Sequence, residues 1–319
     1  MSDKGADLNE RVWRLFEGAG FQTKPSSHSP AEEIIWLSST EKRTPDLSAS
    51  DGALGVKIIG WNKDVHRLRE SLTVHIHDYK ELKRRARASS ALFVSTDKEI
   101  SPQQRQYAQA AGMRVWDEED LRYYEALVDA IGEYAKYEII NSFGIETAEE
   151  KNIHNVLALR FRQPHSQSDT DLFLFTITPD KLLKTCVVLR KAQGSADAYQ
   201  RMVRKARLSS IREFVTRGDA LLPPNIIVHF GENVRSIPIE MRNLQYESGG
   251  PAVLTRKDYE LVVLSIPLAY ASLELIDGQH RLYGFARAEP ATKENFNLAA
   301  CRRGSRVGFP PTVFHTTCQ

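Results

Sequence analysis

With 319 residues, 41% hydrophobic and 26% charged, the chain has the composition of a globular protein and enough length for more than one core, which excludes a single small binding module. Its 43 lysines and arginines against 41 acidic residues leave a formal charge of only +2, so any case for nucleic-acid binding falls on local clusters. Cys186, Cys301 and Cys318 are too widely spaced for a disulfide framework or a zinc pattern, and no run approaches a signal peptide or the ~20 apolar residues of a membrane span; the expected setting is reducing and cytoplasmic, without a membrane partner.

Leu8, Val12, Leu15, Phe16 and Ala19 recur at helical spacing and predict an amphipathic helix over 8–20. A Ser- and Pro-rich stretch follows, then a strand over 33–37, a turn at Thr44-Pro45-Asp46 and an apolar run over 53–59. A hydrophilic helix over 78–88, a strand over 91–95, a helix over 102–111 closed by Gly112, a strand over 113–116 and a long helix over 118–137 complete a mixed α/β domain, 1–142. Residues 143–154 read as a linker. A second α/β domain, 155–298, is expected to have strands over 156–162, 172–177 and 225–230, with a basic helix over 198–217 between the last two. Extended runs over 261–265 and 273–276 and a helix over 281–288 follow. Residues 299–319, which include Cys301-Arg302-Arg303-Gly304 and Pro310-Pro311, show neither period and read as a non-native or flexible tail, as of a truncated or frameshifted chain.

The chemical centre of the sequence is Asp277-Gly278-Gln279-His280-Arg281, at a predicted strand-to-helix junction. The first N–H groups of a helix lack internal partners and favour an anion. Gly278 permits unusual backbone angles, Arg281 offers a fork of donors suited to phosphate, His280 titrates near neutral pH, Gln279 can read a polar edge, and Asp277 either caps the helix or helps to hold a cation. The same string also reads as an ordinary helix start, with Asp277 as the cap and His280 and Arg281 solvated.

The heptapeptide Ile276 to Leu282, with Tyr283-Gly284-Phe285 behind it, resembles the namesake motif of the DGQHR-domain family. That family includes DndB-like proteins of bacterial DNA sulfur-modification systems and is distantly similar to the ParB/sulfiredoxin fold. The resemblance covers 155–298 and takes in Tyr199-Gln200-Arg201 and Pro224-Asn225-Ile226-Ile227. It implies a ParB-like α/β domain in which Asp277, Gly278, Gln279, His280 and Arg281, joined by Tyr199, Gln200 and Arg201, meet the phosphate of DNA or of a nucleotide such as ATP with Mg²⁺. It also implies partner proteins of a DNA-modification system. An ATPase or nuclease with Asp277, His280 and Arg281 as catalytic residues, and a purely protein-interacting scaffold, are the alternatives; a homo-oligomer is left open.

Two basic clusters add to this. Arg201, Arg204, Lys205 and Arg212 share one phase of the basic helix, while Lys80, Lys83, Arg84, Arg85 and Arg87 crowd the end of the helix over 78–88; each reads as a nucleic-acid contact or as a solvated face. The first domain resembles the restriction-endonuclease-like fold, a mixed sheet with flanking helices, in which an aspartate and an acid-x-lysine pair hold a divalent metal. Asp46 matches the aspartate. If Lys57 is the lysine, Gly55 stands at the acidic position, and in the other register Lys57 and Ile59 replace acid and lysine, so a degenerate, non-cleaving domain is expected. His75 and His77 alternate on what reads as an extended segment and would then share a side, but they lack a third metal ligand.

Overall fold

In the computed structural model, residues 3–29, 33–62, 72–96, 100–147, 152–162, 171–188, 205–217, 226–231, 235–238 and 259–303 are described. They divide between two units, Met1–Ala148 and Glu149–Gln319.

Unit 1 opens with α1 (Asp3–Gly18), β1 (Gln22–Lys24) and the small hairpin β2 (Ile35–Trp36) and β3 (Lys42–Arg43). It continues through β4 (Leu47–Asp51), β5 (Val56–Asn62), α2 (Leu72–Arg85), β6 (Ser90–Val94), α3 (Pro102–Ala110), β7 (Met113–Trp116), α4 (Glu118–Ile131) and α5 (Ala135–Ser142). The main sheet has the order β1-β4-β5-β6-β7; β1, β4 and β5 are antiparallel neighbours, while β5, β6 and β7 run parallel. Ile59, Trp61, Ala91, Phe93, Met113 and Val115 form a core with Tyr79 and Leu82 of α2 and Ala108 of α3. On the opposite parity, Trp116 stacks on Phe16 of α1 and on Tyr124 of α4. Helices on both faces explain why all of β6 is buried.

The long helix expected over 118–137 is two helices. Asp117 caps α4 by accepting from the N–H groups of Glu119 and Asp120 at 3.0 Å, and Gly132, at φ 58°, ends it before a 3₁₀ turn, Gly132–Tyr134, leads into α5. Phe143, placed in the expected linker, is 7% exposed and its ring lies 5.9 Å from that of Trp116, so the start of that segment belongs to the unit 1 core. His75 and His77 lie within helix α2; the extended backbone that would bring them to one side is not there.

Unit 2 contains β8 (Ile153–Arg162), β9 (Asp171–Ile177), α6 (Pro179–Thr185), β10 (Cys186–Val187), α7 (Lys205–Thr216), β11 (Ile226–Phe230) and β12 (Arg235–Pro238). β13 (Tyr259–Pro267), β14 (Leu273–Asp277), α8 (Gln279–Gly284), α9 (Pro290–Asn295) and β15 (Leu298–Arg303) follow. Its sheet runs β10-β14-β11-β15-β9-β8-β13-β12. One parity is buried: Phe173, Phe175 and Ile177 of β9 face the same layer as Val156 and Ala158 of β8 and Val262 and Leu264 of β13, and Phe230 meets both phenylalanine rings. The other parity leaves Leu157, Leu174 and Ile227 exposed.

The structure moves the end of the second domain. Residues 299–303, placed in the expected tail, continue from Leu298 as β15, an inner strand parallel to β11 and antiparallel to β9. Leu298 and Ala300 are buried beside Ile177 and Phe175, because small and aliphatic side chains fit under the aromatic layer despite the arginines that follow. Residues 304–319 lie outside the described residues.

Candidate functional site

At the Asp277–Arg281 turn, β14 passes directly into α8. Gly278 sits at φ 101°, and a Cβ there would lie 3.1 Å from Ile226 Cγ1 and 3.3 Å from Ile226 Cα, so both its backbone angle and its close approach to β11 call for glycine. It is Gly278, not Asp277, that occupies the cap position of α8. Asp277 ends β14, opposite Ile227, and its Oδ2 accepts from Arg281 Nη2 at 2.9 Å. The carboxylate is 64% exposed and the guanidinium side chain 21%. The reading of Arg281 as a solvated first-turn residue is therefore replaced by one in which it is folded against its own turn. Gln279 is buried, and His280 is half-buried. The group can present a positioned guanidinium to an anion.

α8 packs on α7 through Gly284, where a Cβ would lie 2.3 Å from Ile211 Cγ2 and 2.8 Å from its Cβ. Close helix contact therefore brings the basic helix against the helix of the turn. Of the residues expected on its positive face, Arg201 and Arg204 lie outside the described residues, as do Tyr199 and Gln200 of the expected phosphate pocket, and Lys205 begins α7 with its side chain outside them. Arg212 lines a groove of about 510 Å³ with Arg217, Arg287 and the carboxylates Glu213 and Glu289. Sequence reasoning passed over Arg287, which is distant from α7 along the chain and joins Arg212 only through the packing of α7 and α8.

In unit 1 the residues of the expected degenerate nuclease site are not together. Asp46 N–H donates to Gly60 O at 2.9 Å, and Asp46 Oδ2 accepts from the N–H of Asn62 at 2.8 Å. Lys57 pairs across the ladder with Ser50, about 13 Å of strand away from Asp46. Its Nζ instead meets Glu33 Oε1 at 2.6 Å. Burial pushes the Glu33 carboxyl up, but hydrogen bonds from Lys57 and Ser48 outweigh it and hold the group below the usual carboxylate range. Gly60 and Asn62, rather than Gly55 and Lys57, are the β5 residues that hydrogen-bond Asp46. Neither residue supplies the second carboxylate that a nuclease metal requires. Among the described residues no cluster of three or more His, Cys, Asp or Glu is placed to hold a metal ion.

The other unit 1 cluster does come together. Lys80, Lys83, Arg84 and Arg87 all line one groove of about 690 Å³ at the C-terminal end of α2, with Glu81 as the single carboxylate among its described lining residues. Arg84 and Arg85 both pair with Glu81, at 2.6 and 2.8 Å. Lys83 Nζ donates to Gly112 O at 3.0 Å.

No helix among the described residues is long and apolar enough to cross a membrane. Comparison with known protein families, with curated proteins and with solved structures gives no match to this chain.

Proposed function

We propose that the protein is an accessory or regulatory component of DNA modification that binds DNA, a nucleotide or both, with phosphate contacted by the Asp277–Arg281 turn. The observation that supports this best is the Arg281 guanidinium, folded 2.9 Å from Asp277 across a glycine whose backbone tolerates no side chain. Such an arginine exchanges its own carboxylate for an incoming phosphate without having to be ordered on binding, which lowers the entropic cost of the contact. The resemblance of Ile276 to Leu282 to the DGQHR motif points the same way and places the phosphate in a DNA-modification setting. In this reading unit 2 is ParB-like, unit 1 is restriction-endonuclease-like without nuclease carboxylates, and the protein works in the cytoplasm with other modification proteins. A nucleotide would bring Mg²⁺ with its own phosphates.

Arg281→Ala tests the reading. Loss of a charge-assisted phosphate contact is expected to weaken binding of ATP or of DNA about tenfold at matched salt. The circular dichroism spectrum should stay native. Unchanged affinity for both ligands removes Arg281 from the site. Metal-dependent hydrolysis that disappears in both Asp277→Ala and His280→Ala would instead favour an ATPase or nuclease.

A further inference from the structure

We propose that the groove at the C-terminal end of α2 binds the phosphate backbone of duplex nucleic acid, with Arg87 as its central contact. The proposal deepens the reading above, rests on it only in that the partner is nucleic acid, and concerns unit 1 alone.

The key is where Arg87 sits. α2 closes with Ala88 N–H donating to Lys83 O at 3.1 Å and Arg87 N–H donating to Arg84 O at 3.2 Å. This pair of bonds requires a left-handed residue just past the helix, a position that glycine favours and where a side chain is strained. Arg87 occupies it at φ 52°. Gly20, Gly55, Gly112, Gly132 and Gly144 fill the other positive-φ positions described in this unit. At this one position of the unit the chain keeps an arginine, and there the turn borders the groove. Strain of this kind persists where a side chain is wanted for something other than the fold.

Lys83, Arg84 and Arg85 have structural explanations that Arg87 lacks. A helix C-terminus attracts positive charge, and Lys83, Arg84 and Arg85 supply it in the last turn of α2. Arg84 and Arg85 share Glu81, and Lys83 is fixed on Gly112, where a Cβ would lie 2.7 Å from Nζ. Lys80 and Arg87 meet no carboxylate among the described residues. Burial, followed by the charge of Lys80, holds the Lys83 ammonium below the usual lysine range. Apart from its charged residues the groove is lined by Ala88 and Ala111. Among the described residues lining it there is no aromatic ring to stack an unpaired base and no large apolar side chain to hold a peptide residue, so its chemistry suits phosphates.

Replacing Arg87 by glycine separates function from folding, because the two should move in opposite directions. Arg87→Gly is expected to raise the melting temperature by about 2–4 °C through relief of the left-handed side chain. The same variant should bind a fluorescein-labelled DNA duplex about fivefold more weakly at low salt and lower the slope of log affinity against log salt by about one. Arg87→Lys, which keeps both charge and strain, should retain the wild-type slope. Arg87→Gly that is stabilised yet binds the duplex with unchanged affinity and slope overturns the proposal. Stronger competition by anionic phospholipid vesicles than by unlabelled duplex also overturns it. Arg281→Ala measured in parallel keeps the two readings apart: ATP affinity lost only in Arg281→Ala, with the duplex slope lowered only in Arg87→Gly, supports both. Wild-type protein that binds ATP but no duplex sinks the groove and leaves the turn standing.

Discussion

Adjacent residues of one strand have different fates in the two units. In β6 every residue from Ser90 to Val94 is buried, whereas in β9 Phe173, Phe175 and Ile177 are buried and Leu174 and Thr176 are exposed. The sheet of unit 1 lies between two helical layers, so both parities of its strands contribute to a core. In unit 2 one parity carries the core, and Leu157, Leu174 and Ile227 on the other are apolar without being buried. An apolar side chain on β5, β6 or β7 of unit 1 therefore reports a core position, whereas one on β8, β9 or β11 of unit 2 does so only on one parity.

Neighbouring alanine substitutions test this difference with the largest expected effects. Leu92→Ala and Phe93→Ala should each destabilise unit 1 by about 3–5 kcal/mol, since both side chains are almost fully buried. Phe173→Ala should cost unit 2 about 3–5 kcal/mol, while Leu174→Ala, at an exposed position, should change it by less than about 1 kcal/mol. Trp13, Trp36, Trp61 and Trp116 all lie in unit 1, so tryptophan fluorescence follows that unit and circular dichroism follows both. Equal losses from Phe173→Ala and Leu174→Ala in denaturant unfolding would show that the outer parity of β9 is covered after all.

A smaller effect is expected at the buried ion pair of unit 1. Lys136 Nζ meets Asp51 Oδ2 at 2.9 Å, with side-chain exposures of 17% and 8%. Asp51→Asn leaves the lysine buried without its countercharge and should cost about 3 kcal/mol. Burial pushes the Asp51 carboxyl up, but hydrogen bonds from Lys136 and from the N–H of Leu54 outweigh it and hold the group below the usual carboxylate range. A depressed folded value means that the contribution is present above about pH 4 and is lost as pH falls through the folded value. Fluorescence-monitored unfolding should thus show an acid limb that Asp51→Asn flattens. An undiminished limb in the variant would assign it to other carboxylates.

The elements that were legible in the sequence are those whose pattern is local. The strand Met113–Trp116 was read with its bounds, and the helix after Pro102 nearly so, because Ser101 accepts from Gln104 N–H and Gly112 terminates the segment. β15 was missed because its burial comes from Phe173, Phe175 and Ile177 on a strand far away in sequence, while its own arginines break the pattern. The turn at Asp277 was legible as a strand-to-helix junction, since Gly278 and the two apolar stripes are local signals. The fold of Arg281 onto Asp277 and the entry of Arg287 beside Arg212 were not, as both depend on side-chain placement and helix packing. Unit 1 shows the same division. The cluster at the end of α2 is visible as a run of basic residues, but the spacing of Lys57 from Asp46 needed the ladder register, which apolar periodicity alone does not supply.

The smallest effect separates the units by pH rather than by packing. His154 lies on β8 with Lys181 Nζ 3.3 Å from its ring nitrogens. Burial, and then the charge of Lys181, hold its pKa below the usual histidine value. The folded state therefore disfavours the proton that the unfolded chain takes up near pH 6.5, and unit 2 should lose stability as pH falls from about 6.5 toward the folded value, then level off. That window lies above the carboxylate window of Asp51, so mild acid should weaken unit 2 before unit 1. Urea midpoints followed by circular dichroism between about pH 5 and 8 would show this limb, with the tryptophan signal of unit 1 flat over the same range. His154→Gln should abolish the limb. Lys181→Met should only reduce it, because burial is the larger cause. A limb fully lost in Lys181→Met would make the charge of Lys181, rather than the position of His154 in the sheet, the origin of the pH response.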